Sequence, residues 1–324
     1  MMRAAVIGLG NIAKRHRGNL KKMFPRIEII AMSASGRIPR ENICNSDLMA
    51  SNIQGVIDFN VDMAIIASPA SLHSLHAIPL IEAGIPVLIE KPVATSLEDT
   101  KAIIKAQKNY KVNVGVGYCL KYLPSALFVK DFIESGRGGK IYNANIEIGQ
   151  YLPDWRPNTD YKQSVSANKS LGGGVLFELS HELDYAQWLF GKLTVEHALI
   201  RNTGELDIEV EDVADLLTTT QSGCIVSLHL DFLQRQASRK CKIIFSHGVL
   251  VWDLIKNEVL WFDESGETTL FSDDLWDKNK MYLNMLSDFN SQNKSGSFSS
   301  IESSLKTIEL ILDIKVRFDM EHMI

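Results

Sequence analysis

Three clusters of side chains in this sequence combine types and spacings that could do chemistry. The first is Gly8-Leu9-Gly10-Asn11-Ile12-Ala13, directly after the apolar run Ala4-Ala5-Val6-Ile7. Small residues there let the chain turn tightly out of a strand at Gly8, let a pyrophosphate approach the backbone at Gly10, and seat a helix on a sheet at Ala13. The amides opening that helix, those of Asn11 and Ile12 among them, would face the phosphates. An ordinary glycine turn has the same letters, so it is the strand-turn-helix context that makes the motif a dinucleotide site. The second cluster is Ser68-Pro69 together with Glu90-Lys91-Pro92, each at the end of an apolar run. Open α/β sheets bind ligands at the carboxyl ends of their strands, and a lysine there can bring its charge to a reacting oxygen. Pro92 biases Lys91 toward extended backbone, although a lysine before a proline is by itself more often a surface feature. The third cluster is Glu178, His181, Glu182 and Asp184. These residue types could ligate a metal, but no second histidine stands at ligand spacing, and no metal is expected.

An NAD site usually places Asp or Glu about 20 residues beyond the glycines to hold the ribose hydroxyls. Here Met32-Ser33-Ala34-Ser35-Gly36-Arg37 has no acid. A carboxylate would repel a 2′-phosphate, whereas the guanidinium of Arg37 can fork onto it, with the hydroxyl of Ser33 alongside. NADP is therefore expected ahead of NAD.

These side chains need elements to hold them. The first third of the chain alternates short β-branched runs with helical patterns, as βαβ units of a parallel, doubly wound sheet do. Strands are expected at Ala4 to Ile7, Ile27 to Met32, Met63 to Ala67, Val87 to Ile89 and Val112 to Val116. A helix from His73 to Ala83 should end at Gly84, and another from about Leu97 to Lys108 should open with a capping box between Thr95 and Glu98. After about residue 119 come a helix near Ser125 to Glu134, a strand at Ile141 to Ile148, and a run of strands from Val213 to Phe262 that reads as an antiparallel meander. Ile301, Leu305, Ile308 and Leu312 share one face of a closing helix, and Ser287 to Ser300 has the composition of a surface loop. The expected architecture is an N-terminal Rossmann domain over 1–119 and a C-terminal α+β domain over 120–324 with a large open antiparallel sheet.

Composition narrows the partners. A formal charge of −5 without any Lys/Arg run argues against a nucleic-acid surface. Cys44, Cys119, Cys224 and Cys241 are scattered without a CxxC pair, which suggests reduced thiols in a cytoplasmic protein. No stretch approaches the roughly 20 apolar residues of a membrane helix, and the opening residues lack the apolar core of a signal peptide.

The ordered set resembles one family: Gly8-x-Gly10-x-x-Ala13, Ser68-Pro69 with Leu72-His73, Ala83-Gly84-Ile85-Pro86-Val87 running into Glu90-Lys91-Pro92, then Gly172-Gly173-Gly174, His181-Glu182-Leu183-Asp184 and Trp188-Leu189-Phe190-Gly191. It is similar to the glucose-fructose oxidoreductase, inositol dehydrogenase and rhizopine-catabolism family, Gfo/Idh/MocA. The resemblance implies a Rossmann domain, an α/β domain with an open antiparallel sheet, and an active site between them that moves a hydride between nicotinamide and a hydroxyl-bearing carbon. It implies that Lys91 supports the cofactor and the substrate hydroxyl, and that His181 is the general acid or base, a task suited to a pKa near neutrality. Ser68, Pro69, His73 and Glu90 join the cofactor residues on the same ground. The family's frequent aspartate before the histidine is Phe177 here, so Glu178 is expected to assist His181 from one residue closer. Its frequent arginine is Lys121, expected at the substrate with Asp184.

Tyr151, Trp155, Arg156, Tyr161 and Lys162 mix aromatics and cations in a way that suits a ring-shaped polar ligand, with an ordinary interdomain loop as the plain alternative. The pattern is similar to that of relatives in bacterial surface-sugar pathways, so the expected substrate is a sugar or nucleotide sugar. A homodimer or homotetramer is expected through the C-terminal sheet. Two other activities share the motifs: a cofactor-retaining lyase or glycosidase that uses transient oxidation, and a non-catalytic NAD(P)-sensing regulator.

Overall fold

The computed structural model describes residues 1–155, 157, 160–291 and 294–318. The chain divides into two compact units, one made of Met1–Tyr118 with Tyr282–Ile308, the other of Cys119–Met281 with the segment from Glu309 on.

In the first unit, β1 (Arg3–Ile7), α1 (Asn11–Met23), β2 (Glu28–Met32), β3 (Leu48–Ala50), α2 (Ile53–Asp58), β4 (Met63–Ile66), α3 (His73–Glu82), β5 (Val87–Ile89), α4 (Leu97–Tyr110) and β6 (Val114–Val116) alternate along the chain. The strands form one parallel sheet in the order β3-β2-β1-β4-β5-β6. Parallel neighbours need crossovers, and the helices supply them. Strands such as Met63–Ile66 are buried along their whole length, which explains their uninterrupted apolar sequence. The strand order reverses at β1 and β4, the switch point where such sheets leave a crevice at their carboxyl ends. Gly84, at φ +79°, ends the α3 turn as expected. The cap of α4 is shifted by one residue from the expected box. Ser96 is the N-cap, accepting from the Asp99 amide at 3.1 Å, because Ser96 rather than Thr95 has the extended backbone that immediately precedes the helix.

The second unit contains α5 (Pro124–Glu134), β7 (Ile141–Gly149), α6 (Val175–Glu178), α7 (Ser180–Phe190) and seven further strands: β8 (Leu193–Arg201), β9 (Val213–Thr220), β10 (Ile225–Asp231), β11 (Ser238–Phe245), β12 (Val249–Asp253), β13 (Glu258–Asp263) and β14 (Gly266–Ser272). They make one eight-stranded sheet in the order β14-β13-β12-β11-β7-β10-β9-β8, antiparallel except where β10 lies parallel to β7. Alternation along β9 is plain: Leu216 and Thr218 are buried, while Asp215, Leu217 and Thr219 face the open side.

Two last helices, α8 (Lys280–Asn290) and α9 (Ile301–Arg317), cross the boundary drawn from the sequence. Residues 282–308 return to the first unit: the Asn113 amide side chain donates to the Phe289 carbonyl at 2.9 Å and the Val116 amide to the Ser299 carbonyl at 2.9 Å. The second stretch, 120–324, is therefore not one domain, since helical periodicity marks a face without naming the core it joins. The face also differs from expectation, because α9 buries Ile301, Ile308, Ile311 and Ile314 while Leu305 and Leu312 are only half-buried.

On the open sheet face the register aligns Lys240, Glu147, His229 and Asp215 across β11, β7, β10 and β9. His229 lies 3.0 Å from Asp231 and 2.6 Å from Asp215. The hydrogen bond to Asp231 chiefly, with Asp215 helping and burial opposing, raises its pKa to about 9. Protonated His229 therefore favours the folded state. That contribution is full below the unfolded value of about 6.5 and is lost as pH rises through about 9. With the imidazole 39% exposed, screening keeps it modest. Thermal unfolding should show a fall in melting temperature across this window that His229→Gln removes; an unchanged slope in the variant would reject the assignment.

Candidate active site

Every cofactor residue expected from the sequence that the first unit contains lies after a strand of its sheet, at the carboxyl edge. Gly8 follows β1 with φ +116°, and a side chain there would overlap the Ala67 carbonyl and come 3.0 Å from the Ser68 amide nitrogen. This glycine is required by the fold itself. Gly10 differs. Its backbone, φ −71° and ψ −175°, suits any residue, and a Cβ on it would meet no atom within 4 Å. Gly10 is the N-cap of α1 and has no side chain to satisfy the helix's first amides, while the first turn carries no acid. The amides of Asn11 and Ile12 thus open a helix whose end is free to take an anion, and the space beside Gly10 fits a pyrophosphate.

Arg17, which the sequence reading passed over, is buried on α1 and donates to the carbonyls of Cys44 at 2.9 Å and Gly8 at 3.4 Å. Burial lowers its pKa. It braces the glycine turn from behind, a role that short-range motifs do not announce.

After β2, Ser33 Oγ lies 3.1 Å from Ser35 Oγ, and the Gly36 amide donates to the Ser33 carbonyl at 3.0 Å. Arg37 is exposed just beyond. After β4, Ser68 Oγ meets His76 Nδ1 at 3.0 Å, and Pro69 leads into α3. His73 was expected at the cofactor; the structure buries it, with Nδ1 3.0 Å from the Pro92 carbonyl and Nε2 2.9 Å from the Ser68 carbonyl. Burial lowers the pKa of both His73 and His76. After β5, the Glu90 carboxylate accepts from His16 Nε2 at 2.6 Å and from the Lys91 amide at 3.3 Å, so it too faces inward. Lys91 is half-buried, and its peptide bond to Pro92 is cis.

In the second unit the glycine run is a packing device. Gly173 lies against the Val165 and Ser166 carbonyls, and Gly174, at φ +103°, leaves room for the buried Glu211 carboxylate, which pairs with Lys315 at 2.7 Å. The Glu211 carbonyl also accepts from the Val175 amide at 3.1 Å, fixing the start of α6. Glu178 ends α6 and His181 is the second residue of α7, with Leu179 (φ −97°, ψ 26°) interrupting the helix between them. The shared helical face expected for Glu178 and His181 is thus broken, although both are half-buried.

The remaining expected residues have partners of their own. Glu182, fully buried, takes a bidentate bond from Arg239 at 2.7 and 2.9 Å. Burial opposes the Arg239 charge, and Glu182 more than offsets it, so the guanidinium pKa is raised. Lys121 and Asp184, both expected at the substrate, form a buried ion pair at 3.0 Å. Burial raises the Asp184 pKa, against the pull of Lys121. The Tyr161 hydroxyl donates to the Leu206 carbonyl at 2.9 Å, and Lys162 reaches Asp207 at 2.6 Å, which ties their loop to residues 206 and 207. The Arg235 guanidinium stacks 3.6 Å from the Tyr151 ring centre; Trp155 donates to the Gln150 carbonyl at 3.2 Å and meets Phe232 edge-on. Arg156 lies outside the described residues.

Comparison with known proteins agrees with the fold. Residues 2–118 match the model of the Gfo/Idh/MocA oxidoreductase family, NAD-binding Rossmann fold, and residues 127–251 match the Gfo/Idh/MocA C-terminal domain. The chain is 30% identical over 53% of its length to levoglucosan dehydrogenase from Pseudarthrobacter phenanthrenivorans and 28% identical over 53% to inositol 2-dehydrogenase 2 from Saccharopolyspora erythraea. The matched segments span 42% and 48% of those relatives, about half their length. The WlbA dehydrogenase from Bordetella pertussis, solved with NADH and UDP-GlcNAcA, shares the fold at TM-score 0.77 and 21% identity, covering 97% of this chain and 95% of its own.

Proposed function

The chain belongs to the Gfo/Idh/MocA oxidoreductase family with an NAD-binding Rossmann fold, and on that premise we propose that it is an NAD(P)-dependent oxidoreductase acting on a hydroxyl-bearing carbon of a sugar or nucleotide sugar. The observation that carries this reading is Gly10, a glycine with no conformational or packing need of its own, beside an uncapped helix end. The residues present fit a dinucleotide. A bound nicotinamide would supply the acceptor or donor of hydride. The ammonium of Lys91 holds the substrate oxygen, and His181 carries the hydroxyl proton, with Glu178, three residues before it, assisting. Tyr151 and Trp155 remain the proposed sugar-facing aromatics. Curated relatives named for levoglucosan and inositol support a polyhydroxylated substrate. Surface-polysaccharide sugar metabolism in the cytoplasm is the proposed setting, which cell fractionation checks.

Two measurements test the reading. A screen of free sugars, inositols and nucleotide sugars should yield net formation or consumption of reduced cofactor; turnover of a substrate without it would favour the cofactor-retaining lyase, and binding without turnover the regulator. Calorimetry should show tighter binding of NADP than NAD, because Ser33, Ser35 and exposed Arg37 stand where an acid would oppose the 2′-phosphate. A clear NAD preference untouched by Arg37→Ala would sink that choice. We also assign self-association, as a homodimer or homotetramer, to the open sheet face, where Leu199, Leu217 and Ile225 are 42%, 45% and 43% exposed. Light scattering of wild type and Leu217→Asp decides it: a monomeric wild type removes the assignment.

A further inference from the structure

The turn that carries Lys91 is gripped on both flanks by buried histidines from two different helices. On the near flank, Glu90 is 8% exposed, and a carboxylate so placed needs partners. It has the Nε2–H of His16, 2.6 Å away, and the amide of Lys91 at 3.3 Å. Gly117 faces it without a side chain; a Cβ there would stand 3.0 Å from the carboxyl group. The carboxylate thus occupies a slot closed by α1 on one side and bare backbone on the other. His16 is fully buried, and its Nδ1 has no hydrogen-bond partner among the described residues, so the ring's single polar bond is the one to Glu90. A histidine kept in a core for one bond is there for that bond, since a leucine would fill the space without a bare nitrogen.

On the far flank, His73 of α3 is 1% exposed, with Nδ1 3.0 Å from the Pro92 carbonyl and 3.3 Å from the Val93 carbonyl. Its Nε2 reaches the Ser68 carbonyl at 2.9 Å, which ties the same turn to the loop after β4. Both histidines come from helices that belong to the proposed cofactor edge, α1 beginning just after Gly10 and α3 at His73 itself.

We propose that His16 and His73 are positioning residues that hold the Lys91 turn, His16 through the Glu90 carboxylate and His73 through the Pro92 and Val93 carbonyls. The proposal rests on the reading of Lys91 as a cofactor-side residue. Its consequence is specific: loss of either histidine lets the Lys91 turn move, and matters to cofactor binding only as long as Lys91 is there to be positioned. A merely structural histidine would cost the same with or without Lys91.

A double-mutant cycle on cofactor affinity separates the two. Equilibrium fluorescence titration with NADH and with NADPH is carried out on wild type, His16→Leu, His73→Leu and Lys91→Ala, and on each histidine variant combined with Lys91→Ala. Circular dichroism and thermal melting report folding. Hydrogen bonds to charged groups set the scale, so His16→Leu should weaken binding about tenfold in the presence of Lys91 and less than about twofold in its absence. His73→Leu should follow the same pattern. His16→Gln, which keeps an amide N–H near the Nε2 position, should recover most of the loss, and His73→Asn serves where the leucine variant fails to fold. Equal losses in both Lys91 backgrounds, or no loss in either, would overturn the proposal while leaving the cofactor reading intact. Failure of the wild type to bind either dinucleotide would bring down that reading first.

Discussion

Turnover should collapse by about 10²–10⁴-fold in His181→Ala, and comparably in Lys91→Ala, in proteins that remain folded. The expectation for His181 rests on its place as the second residue of α7, half-buried, with neighbours committed elsewhere: Glu182 to Arg239 at 2.7 Å and Asp184 to Lys121 at 3.0 Å. Carboxylates locked into ion pairs are poorly placed to take up and release a proton, and imidazole is the side-chain type whose unperturbed pKa near neutrality suits the task. For Lys91 the expectation rests on its position after β5 at the carboxyl edge of the parallel sheet. If His181 is the base in oxidation, the wild-type rate rises with pH as the imidazole loses its proton, and that limb is absent in the alanine variant. Steady-state kinetics with the substrate found by screening provides the check. Near-normal turnover in His181→Ala would reject it and turn attention to Glu178 or Tyr161.

The two glycines of the first turn should fail in opposite ways. Gly8→Ala puts a methyl group into the Ala67 carbonyl and asks a side chain to live at φ +116°, so the protein should lose on the order of 3 kcal/mol of stability. Urea unfolding measures that loss directly. Gly10→Val meets no protein atom near its Cβ and has an ordinary backbone, so its unfolding midpoint should stay near that of the wild type. Its branched side chain instead fills the space before the α1 amides, and dinucleotide binding should fall below detection in calorimetry. A Gly10→Val protein that binds cofactor normally would show that the open space is incidental; a Gly8→Ala protein of unchanged stability would mean the turn relaxes in a way its close packing does not suggest.

Much of this protein is written in short stretches of sequence, and the rest is not, for a common physical reason. The strand-turn-helix grammar around Gly8 to Ala13, the stop of α3 at Gly84 and the alternation along β9 depend on neighbours within a few residues, because the periods of helix and strand are local properties of the backbone. Those features could be read directly, and so could the placing of Ser33, Ser68 and Glu90 at one edge of the sheet, since parallel strands put every carboxyl end on the same side. What the side chains do once there could not be read. His16 meets Glu90 across 74 positions, Lys121 meets Asp184 across 63, and Arg239 meets Glu182 across 57. The capping serine of α4 and the buried stripe of α9 each shifted by about a residue from expectation, as cap geometry and the surrounding core outweigh pattern. Residues 282–308 joined the first unit although they follow the second in sequence. Sequence determined where charge, imidazole and glycine stand along the chain. Only the tertiary structure decided which of them spend their hydrogen bonds inside the protein, because a polar group leaves water only where a partner from a distant segment is waiting for it.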